Sequence, residues 1–481
     1  MTLLFVSSLF IAGCLEEDVF SAPSENLTFS VDTLRFDTVF TTLGSVTRSV
    51  RLINNSNQNI SLSSINFESN DFSKFRMNVD GLPGDNFSNI EILAHDSLYI
   101  FVEVTIDPDE PLSISPFIIS DAIVIEGGNI SQKIFLEAWG QNANYIPNQF
   151  NAGQGARLSC DNQLLRWDDP KPYVVYGVLF VDSCNLYLPP GTQIYVHGGL
   201  ANFNGVIAND GIFIFTENAS LTSEGTLENP VVFQGDRLEK GFQDAFGQWN
   251  GILFSNNSKN NSIKHTIIKN SVIGIRADSA ASVKIDNSII FNTTNVAIIG
   301  QHSNIEVTNT LLHSNGSASI ALGFGGNYNI SYTTLANYGN QNPAVILDNY
   351  KVIDQNQNLI DVFPINATFT NCIIAGSTKD EILYDDGTDG SDPNVFNISF
   401  INCLVKIEDL ESDTFFESIC QNCISIAQGD SIFIDRFEFD YHLHPTSPAM
   451  NVGIPIVSIT DDLESQIRDS STPDLGCYES Q

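Results

Sequence analysis

Basic residues are scarce in this chain of 481 residues: Lys and Arg together number 21, against 57 Asp and Glu, for a formal net charge of −36. A charge of this sign repels nucleic acid and anionic membrane surfaces. The sequence therefore predicts no nucleic acid partner, and it disfavours polyanions unless divalent cations intervene. The same excess of acid keeps a protein soluble in salty surroundings.

The chain also lacks a long hydrophobic run near its beginning. The first apolar stretch, Leu3 to Ala12, is about ten residues long, whereas a helix that crosses a bilayer needs ~20. A short apolar stretch at an N-terminus is typical of a signal peptide. We predict that residues 1–13 form such a peptide, although no Lys or Arg precedes Leu3.

The end of this stretch, Ile11-Ala12-Gly13-Cys14, resembles the lipobox of bacterial lipoproteins. The resemblance implies that Cys14 is acylated and that several acyl chains hold the mature protein in a membrane. The next residues, 14–26, begin with an acidic run and resemble the tether of Bacteroidetes-type surface lipoproteins. A lipid-anchored protein of the outer membrane, displayed at the cell surface, is therefore implied, with the periplasmic face as the alternative.

Seven of the eight cysteines remain if Cys14 carries lipid, so at least one thiol is free outside the cytoplasm. Cys160 and Cys184 flank a plausible two-strand segment and are the candidate disulfide. Cys420 and Cys423 form a CxxC, which could be a redox motif or half a zinc site. No second CxxC or suitably spaced His pair accompanies it, so a structural pair or free thiols are favoured.

Residues 27–141 alternate apolar and polar positions in short runs broken by turn residues, which predicts an all-β sandwich. The order of motifs resembles immunoglobulin-like modules of the abnormal-spindle and Hydin type. Phe40 and Gly44 stand before a strand that ends at Asn54, and a late strand ends at Gly140. The resemblance implies a spacer or an interaction surface rather than a catalyst.

Six later segments superpose on one repeat, in which a small polar or sulfur-containing residue occupies one column. That column comprises Thr266, Ser288, Thr310, Thr333, Cys372 and Cys403. Its spacings of 22, 22, 23, 39 and 31 residues indicate coils of about 22 residues, with loops inserted in the two long intervals. This pattern is typical of a parallel β-helix, which we predict over residues 142–407.

Two apolar columns accompany this polar one and predict the interior of the β-helix. The first comprises Ile263, Ile285, Val307, Ile330, Phe369 and Phe400. The second comprises Ile268, Ile290, Leu312, Leu335, Ile374 and Val405. Each column should stack on itself at the ~4.8 Å spacing of neighbouring strands. A leucine-rich repeat would need leucines at fixed steps and usually a helix, and neither occurs here.

Residues next to these columns give three further expectations. An amide ladder is expected in the column His265, Asn287, Asn309, Tyr332, Asn371 and Asn402, each amide bonding the next. Lys264 should lie beside Asp286, and Lys284 beside Glu306, as solvated cross-strand pairs. Cys372 and Cys403 should be stacked, buried thiols, because a disulfide wants specific torsions.

Segments around the repeat resemble Bacteroidetes β-helix lipoproteins. Pro189 to Tyr195 resembles their first rung, and Ser447 to Gly453 followed by Asp474 to Glu479 resembles the closing motif of right-handed parallel β-helix proteins of the choice-of-anchor type. The resemblance implies a right-handed parallel β-helix after the sandwich, with C-terminal turns and a cap over 408–481. It implies little about chemistry.

No catalytic set stands out in the sequence. Asp385, Asp389 and Asp392 partly imitate a Ca²⁺ loop, but Phe396 stands where a Glu is expected, so a mobile acidic turn is favoured over a metal site. His442 and His444 could form a metal pair, but they adjoin the closing motif and are expected to be structural. A third possibility is a ligand pocket in the charged loop from Asp236 to Asp244, for which a solvated loop is the safer interpretation.

The sequence thus favours a non-enzymatic surface lipoprotein without a cofactor, which presents a β-helix to glycans or protein partners. The alternative is a polysaccharide lyase or epimerase of the parallel β-helix class, which would need Ca²⁺ and a Lys or Arg base.

The lipid anchor gives the first testable prediction. Wild-type protein should incorporate labelled palmitate in its bacterial host, and the Cys14→Ser variant should not, because the thiol is the acceptor. Equal labelling of the two, compared after immunoprecipitation, would refute the anchor.

Overall fold

The structure is a computed structural model, and it divides into two units, residues 1–142 and 143–481. It describes residues 20–23, 27–40, 47–69, 73–104, 117–141, 143–147, 155–160, 162–203, 206–238, 243–353, 360–427 and 431–480. Cys14 and most of the predicted signal peptide and tether lie outside these residues. Within the described residues, no helix is long and apolar enough to span a membrane.

The N-terminal unit consists of two five-stranded sheets around one hydrophobic core. The strands of the first sheet, in spatial order, are Thr28–Phe29, Arg48–Ile53, Ser97–Val104, Phe75–Val79 and Leu82–Gly84. Those of the second are Thr33–Phe40, Ile130–Gln141, Phe117–Gly127, Ile60–Phe67 and Asn86–Ile92. The all-β prediction is confirmed, while the immunoglobulin-like classification stays a prediction.

Asn54 shows why the strand Arg48–Ile53 ends where it does. The side chain of Asn54 is buried, and its amide donates to the carbonyls of Gln58 and Leu93, both at 2.9 Å. Its Oδ1 accepts from the Ser56 backbone N–H at 3.1 Å. A buried amide must find such partners, so Asn54 fixes the turn after the strand.

The C-terminal unit is a parallel β-helix with three faces, as its strand pairing shows. The first face comprises Leu164–Arg166, Asn185–Leu188, Ser220–Glu224, Asn261–Lys264, Ser282–Asp286, Ile298–Thr308, Ile320–Ser331, Ile365–Thr370, Phe396–Ile401 and Cys420–Gln421. The second comprises Asn144–Ile146, Tyr173–Tyr176, Gln193–His197, Val231–Gly235, Thr266–Lys269, Ile289–Thr293, Leu311–Asn315, Thr334–Asn337, Ile373–Gly376, Leu404–Lys406 and Ile424–Ile426.

The third face comprises Ala156–Leu158, Val178–Val181, Ile212–Phe215, Gly251–Phe254, Ile275–Ala277, Val345–Asp348 and Ile382–Asp385. Ile298–Thr308 and Ile320–Ser331 are long strands that bend from the third face into the first and join the two into one sheet of 17 strands. The remaining elements are three hairpins, one 3₁₀ turn and one short helix. They are Leu200–Phe203 with Val206–Asn209, Tyr350–Val352 with Ile360–Val362, Phe433–Asp435 with Asp440–Leu443, Leu410–Ser412, and Thr414–Ile419.

Both predicted apolar columns are confirmed. Ile263 pairs with Ile285, and the pairing continues in register to Phe400. The second column runs in register from Ile268 to Val405. All twelve side chains are buried in one continuous core, and burying each large apolar side chain contributes about 1.5–3 kcal/mol.

Rungs of the β-helix occur on both sides of the recognisable repeat. Two rungs of the second face, Asn144–Ile146 and Tyr173–Tyr176, precede Pro189–Tyr195, the segment that resembles a first rung, and lie within the predicted range 142–407. Parallel pairing also continues past residue 407 to Ile424–Ile426, in the range for which C-terminal turns are predicted. The strands of these rungs have only three or four residues, too few to show the repeat in the sequence.

The first and second faces meet at a corner, where each coil has one residue with positive φ. These residues, which we name the first corner, are His265, Asn287, Asn309, Tyr332, Asn371 and Asn402, with φ between 41° and 54°. The buried residue that follows each of them donates a hydrogen bond back to a carbonyl two positions earlier. Thr310 Oγ1, for example, donates to Thr308 O at 2.8 Å, and Cys372 Sγ to Thr370 O at 3.4 Å.

The prediction of an amide ladder at the first corner is wrong. The corner amides donate instead to backbone carbonyls of the C-terminal segment 447–480, which we name the strap. Asn287 donates to Asp462 O and Asn309 to Asp461 O, both at 2.8 Å. Because the strap carbonyls accept from these amides, the amides do not bond one another.

The strap lies within residues 408–481, for which C-terminal turns and a cap are predicted. Its carbonyls accept hydrogen bonds from Asn287 through Asn402, which lie on five successive coils. It therefore runs along the side of the β-helix and covers the first corner. Residues 408–427 supply the last coil and the short helix.

Arg468 anchors the strap. Its side chain is buried and its guanidinium lies 3.9 Å from the centre of the Tyr332 ring. It donates to Asn309 Oδ1 at 2.9 Å and forms an ion pair of 3.3 Å with Glu479, whose side chain is also buried. The Arg468 side chain therefore joins the C-terminal part of the strap to the first corner.

The described cysteines fall into two groups, disulfides and free thiols. Cys160–Cys184 and Cys420–Cys423 are disulfides, with Cα atoms 5.7 Å and 5.8 Å apart. Cys372, Cys403 and Cys477 are free and buried, which confirms the stacked thiols expected in the column. Burial and the neighbouring Cys403 thiol hold the pKa of Cys372 well above its ordinary value.

Arg468 gives the second testable prediction. Arg468→Met leaves the Glu479 carboxylate buried without its partner, so we expect the strap to lose about 3–5 kcal/mol of stability. Hydrogen exchange over residues 447–480 should accelerate accordingly.

The matched control is Arg276→Met, because Arg276 pairs with Asp278 while its side chain is 41% exposed. An exposed pair of this kind is worth about 1 kcal/mol or less. Equal exchange in the two variants would contradict the anchoring role.

Candidate functional site

The outward side of the first face carries an array of polar side chains, which we name the polar face. Its first column comprises Asn260, Ser282, Asn304, Asn327, Asn366 and Asn397. Its second column comprises Ser262, Lys284, Glu306, Asn329, Thr368 and Ser399. Strand alternation places these residues outside because the apolar columns face inward. The two columns contain no apolar side chain.

Four asparagines of the first column form an exposed amide ladder. Asn327 Nδ2 donates to Asn304 Oδ1 at 2.8 Å, Asn366 to Asn327 at 3.0 Å, and Asn397 to Asn366 at 3.2 Å. A carboxamide has two N–H donors and two acceptor lone pairs. Asn327 and Asn366 each use one of each in the ladder, so each still offers a donor and an acceptor to a ligand.

The sequence contained a signal for this ladder. The residue three positions before each member of the first apolar column is Asn in five of six coils. The sequence analysis predicted the amide ladder at the corner asparagines instead of at this column. An asparagine that recurs on an outward strand position, where β propensity is poor, indicates a side-chain role rather than a turn.

A charged cluster interrupts the second column. Lys284 Nζ lies 3.2 Å from Glu306 and 3.5 Å from Asp286, and the predicted neighbour relation of Lys264 and Asp286 is confirmed by register. Burial lowers the pKa of Lys284, but Asp286 and Glu306 outweigh it and raise the pKa above its ordinary value. Burial raises the pKa of Asp286, and Lys284 only partly offsets this.

The strap forms one wall beside this cluster. A groove of about 450 Å³ lies over the amide ladder, and a second space of about 270 Å³ lies between the cluster and strap residues Ile456 to Asp461. Lys284, Glu306 and Asn329 line both spaces, so they form one continuous path across the coils. An extended ligand could lie along it.

The predicted calcium ligands do not come together. Asp385 accepts from the Tyr350 hydroxyl at 2.6 Å, and Asp392 accepts from the Asn394 backbone at 3.0 Å. The loop is ordered by Asp386, whose carboxylate accepts from Asn349, Thr388 and Gly390. Within the described ranges, no group of three His, Cys, Asp or Glu side chains could hold a metal ion.

The two histidines near the closing motif have separate partners. His442 bonds Asp440 at 2.7 Å and Glu464 at 3.2 Å, and it stacks on Tyr478. Burial lowers the pKa of His442, but these carboxylates outweigh it and raise the pKa. His444 bonds Thr446.

In the charged loop, Asp236 bonds His197 at 2.6 Å. This hydrogen bond raises the pKa of His197 despite burial. Residues 239–242 of the loop lie outside the described residues, and no ligand pocket can be built on it.

Comparisons with known proteins assign no family. No protein-family model and no curated protein matches the chain. Among solved structures, a family 123 glycoside hydrolase from Clostridium perfringens is similar over 24% of this chain and 26% of that chain, with 11% identity and a TM-score of 0.17. The ASH/PapD-like domain of human CEP192 is similar over 30% of this chain and 100% of its own, with 11% identity and a TM-score of 0.19.

A GH87 α-1,3-glucanase catalytic unit from Streptomyces thermodiastaticus strain HF3-3 is similar over 82% of this chain and 64% of that chain, with 8% identity and a TM-score of 0.20. The chain thus spans about a quarter of the family 123 enzyme and 64% of the glucanase. At such TM-scores none of these likenesses supports an assignment of activity.

Proposed function

We propose that the chain is a carbohydrate-binding protein that holds an extended, neutral polysaccharide along its polar face. The observation that carries the proposal is the exposed amide ladder of Asn304, Asn327, Asn366 and Asn397. A sugar hydroxyl both donates and accepts a hydrogen bond, and each middle amide offers one of each. The rungs recur at ~4.8 Å, close to the length of one pyranose residue in a chain.

Electrostatics favour a neutral ligand. The net charge of −36 repels a polyanion, and the Lys284 cation on the polar face is already paired with Asp286 and Glu306. Asn329, in contrast, is exposed between Glu306 and Thr368 and lines both spaces of the groove. Hydroxyl groups are therefore better partners for this surface than carboxylates.

The lipid anchor completes the proposal. Acylation of Cys14 would hold the chain in the outer membrane, and display at the cell surface would bring the polar face to external glycans. The lipobox resemblance in residues 11–14 supports this part, and the palmitate experiment tests it.

The groove can be tested with paired amide variants. Asn327→Ala combined with Asn366→Ala removes four exposed hydrogen-bonding groups, each worth about 0.5–1.5 kcal/mol when used. We expect about a tenfold or greater loss of affinity for the soluble polysaccharide that binds wild type best in a panel of xylan, galactomannan and mixed-linkage β-glucan. Isothermal titration measures it.

Asn256→Ala is the matched control, because Asn256 is exposed in the turn before the polar face and does not line either space of the groove. It should bind as wild type does. Unchanged binding by the double variant, or no binding of wild type to any neutral glycan, would overturn the proposal.

Lyase or epimerase activity on a polysaccharide is the second candidate, because Lys284 faces two carboxylates in one groove. A lyase base must be unprotonated, however, and the ion pairs raise the pKa of Lys284. We therefore expect no unsaturated ends from alginate or polygalacturonate incubated with the protein and added Ca²⁺. Ultraviolet-absorbing ends formed by wild type and lost in Lys284→Met would establish the enzyme instead.

A further inference from the structure

A second cavity lies on the outward side of the second face, at the last coils of the β-helix. It has a volume of about 520 Å³ and is walled by the hairpin Phe433–Asp435 with Asp440–Leu443. Lys406 and Arg436 line it, together with Tyr338 and Phe437. None of its lining residues belongs to the polar face.

Lys406 is a buried cation without a carboxylate partner. The residue is 7% exposed, and its Nζ donates to the carbonyls of Gly376, at 3.2 Å, and Thr378. An ammonium group has three N–H donors, so one remains. No described carboxylate lies within ion-pair distance of it, although the chain has 57 acidic residues.

Two nearby acids form no ion pair with Lys406. Glu381 is buried next to it: its backbone N–H donates to the Lys406 carbonyl at 3.0 Å, and its carboxyl group interacts electrostatically with the Lys406 cation. The Glu381 carboxylate accepts from the backbone N–H groups of Ala344, at 3.0 Å, and Thr378, at 2.7 Å. Asp435 lines the cavity, and its Oδ1 accepts from the Phe437 backbone at 3.0 Å. A buried charge is normally paired, so an Nζ donor of Lys406 that no described carboxylate takes indicates a ligand.

Arg436 supplies a second, oriented cation. Its guanidinium stacks 4.6 Å from the Tyr338 ring centre and 4.8 Å from that of Phe437. The guanidinium also interacts with the Tyr338 hydroxyl, and its remaining in-plane N–H donors can hold a carboxylate. Among the described residues no carboxylate takes this position.

Phe437 adds an apolar surface to the same place. Its side chain is 78% exposed, which is unusual for an aromatic residue unless it contacts a ligand or partner. The C–H face of a sugar ring packs on such a surface, while a carboxylate on that ring could reach the cations. An inorganic anion would use the cations alone.

We infer that this cavity binds a saccharide with a single carboxylate, such as a uronic acid residue. The charge argument stands by itself, while the choice of a saccharide rests on Phe437 and on the glycan binding proposed above. One carboxylate can enter where Lys406 and Arg436 both offer N–H donors, although a polyanion would be repelled by the rest of the chain.

The probes are D-galacturonate, D-galactose and acetate at equal ionic strength, titrated into the full chain and followed by NMR of the ligand. We expect D-galacturonate to bind about tenfold or more tightly than D-galactose, because the carboxylate makes charge-assisted hydrogen bonds. Arg436→Gln should remove about tenfold of that affinity. Phe437→Ala should weaken D-galacturonate binding and leave acetate binding unchanged.

Lys379→Gln is the matched control. Lys379 follows Thr378 in the sequence, and it is an exposed cation that pairs with Glu408 outside the cavity. It should bind as wild type does. Lys406→Met should also weaken binding, and it counts only if its far-UV spectrum matches wild type. Arg436→Gln settles the question if Lys406→Met does not fold.

Equal affinity for D-galactose, or an unchanged Arg436→Gln variant, overturns the site. Acetate binding as tight as D-galacturonate binding would overturn the assignment of a saccharide ligand and leave an adventitious ion only. The double amide variant of the polar face should keep its D-galacturonate binding, so failure of the cavity and failure of the groove are distinguishable.

Discussion

The left-handed residue at the first corner is the constraint on which the β-helix depends. Each of the six aligned coils turns from the first face to the second at the same place, through one residue with φ between 41° and 54°. Asparagine tolerates this conformation better than most residues, and it stands at four of the six aligned corners. The buried hydroxyl or thiol that follows bonds a carbonyl two residues earlier, which satisfies that polar group within the corner. Because the turn recurs in register, the strands between corners stack in register too.

Register has consequences on both sides of the first face. A slip of one residue would turn every inward side chain outward, so the continuous apolar columns and the polar face are two results of one alignment. The corner amides need hydrogen-bond partners because the strap covers them, and covered polar groups are normally paired. The strap supplies backbone carbonyls for them. The strap thereby also forms the wall beside Lys284. One side of the groove is therefore a segment that the corner side chains need as a partner.

The sequence was sufficient to predict the features that repeat from coil to coil, and insufficient to predict those that do not. Ile263, Ile285 and Val307 could be aligned because their environment recurs on each coil. The corner asparagines were recognised as turn residues, but their partners in the strap lie up to 175 positions away, and no local pattern encodes such a distance. The outward asparagines recur as well, but among the outward positions only charged pairs such as Lys284 and Glu306 were predicted. Lys406 and Arg436 come from different elements that the last hairpin brings together, so neither position was a candidate.

The two candidate surfaces differ in whether described carboxylates pair with their cations. The polar face contains a cation, but two carboxylates hold it, and a bound anion would have to break those ion pairs. The cavity near Phe437 contains two cations that no described carboxylate holds. Charges beyond about 8–10 Å are largely screened at physiological ionic strength, so the local pairing decides what binds, while the net charge of −36 sets only the background. A polysaccharide that is mostly neutral and carries an occasional uronic acid would suit both surfaces, because its hydroxyls match the amide ladder and its carboxylate matches the unpaired cations.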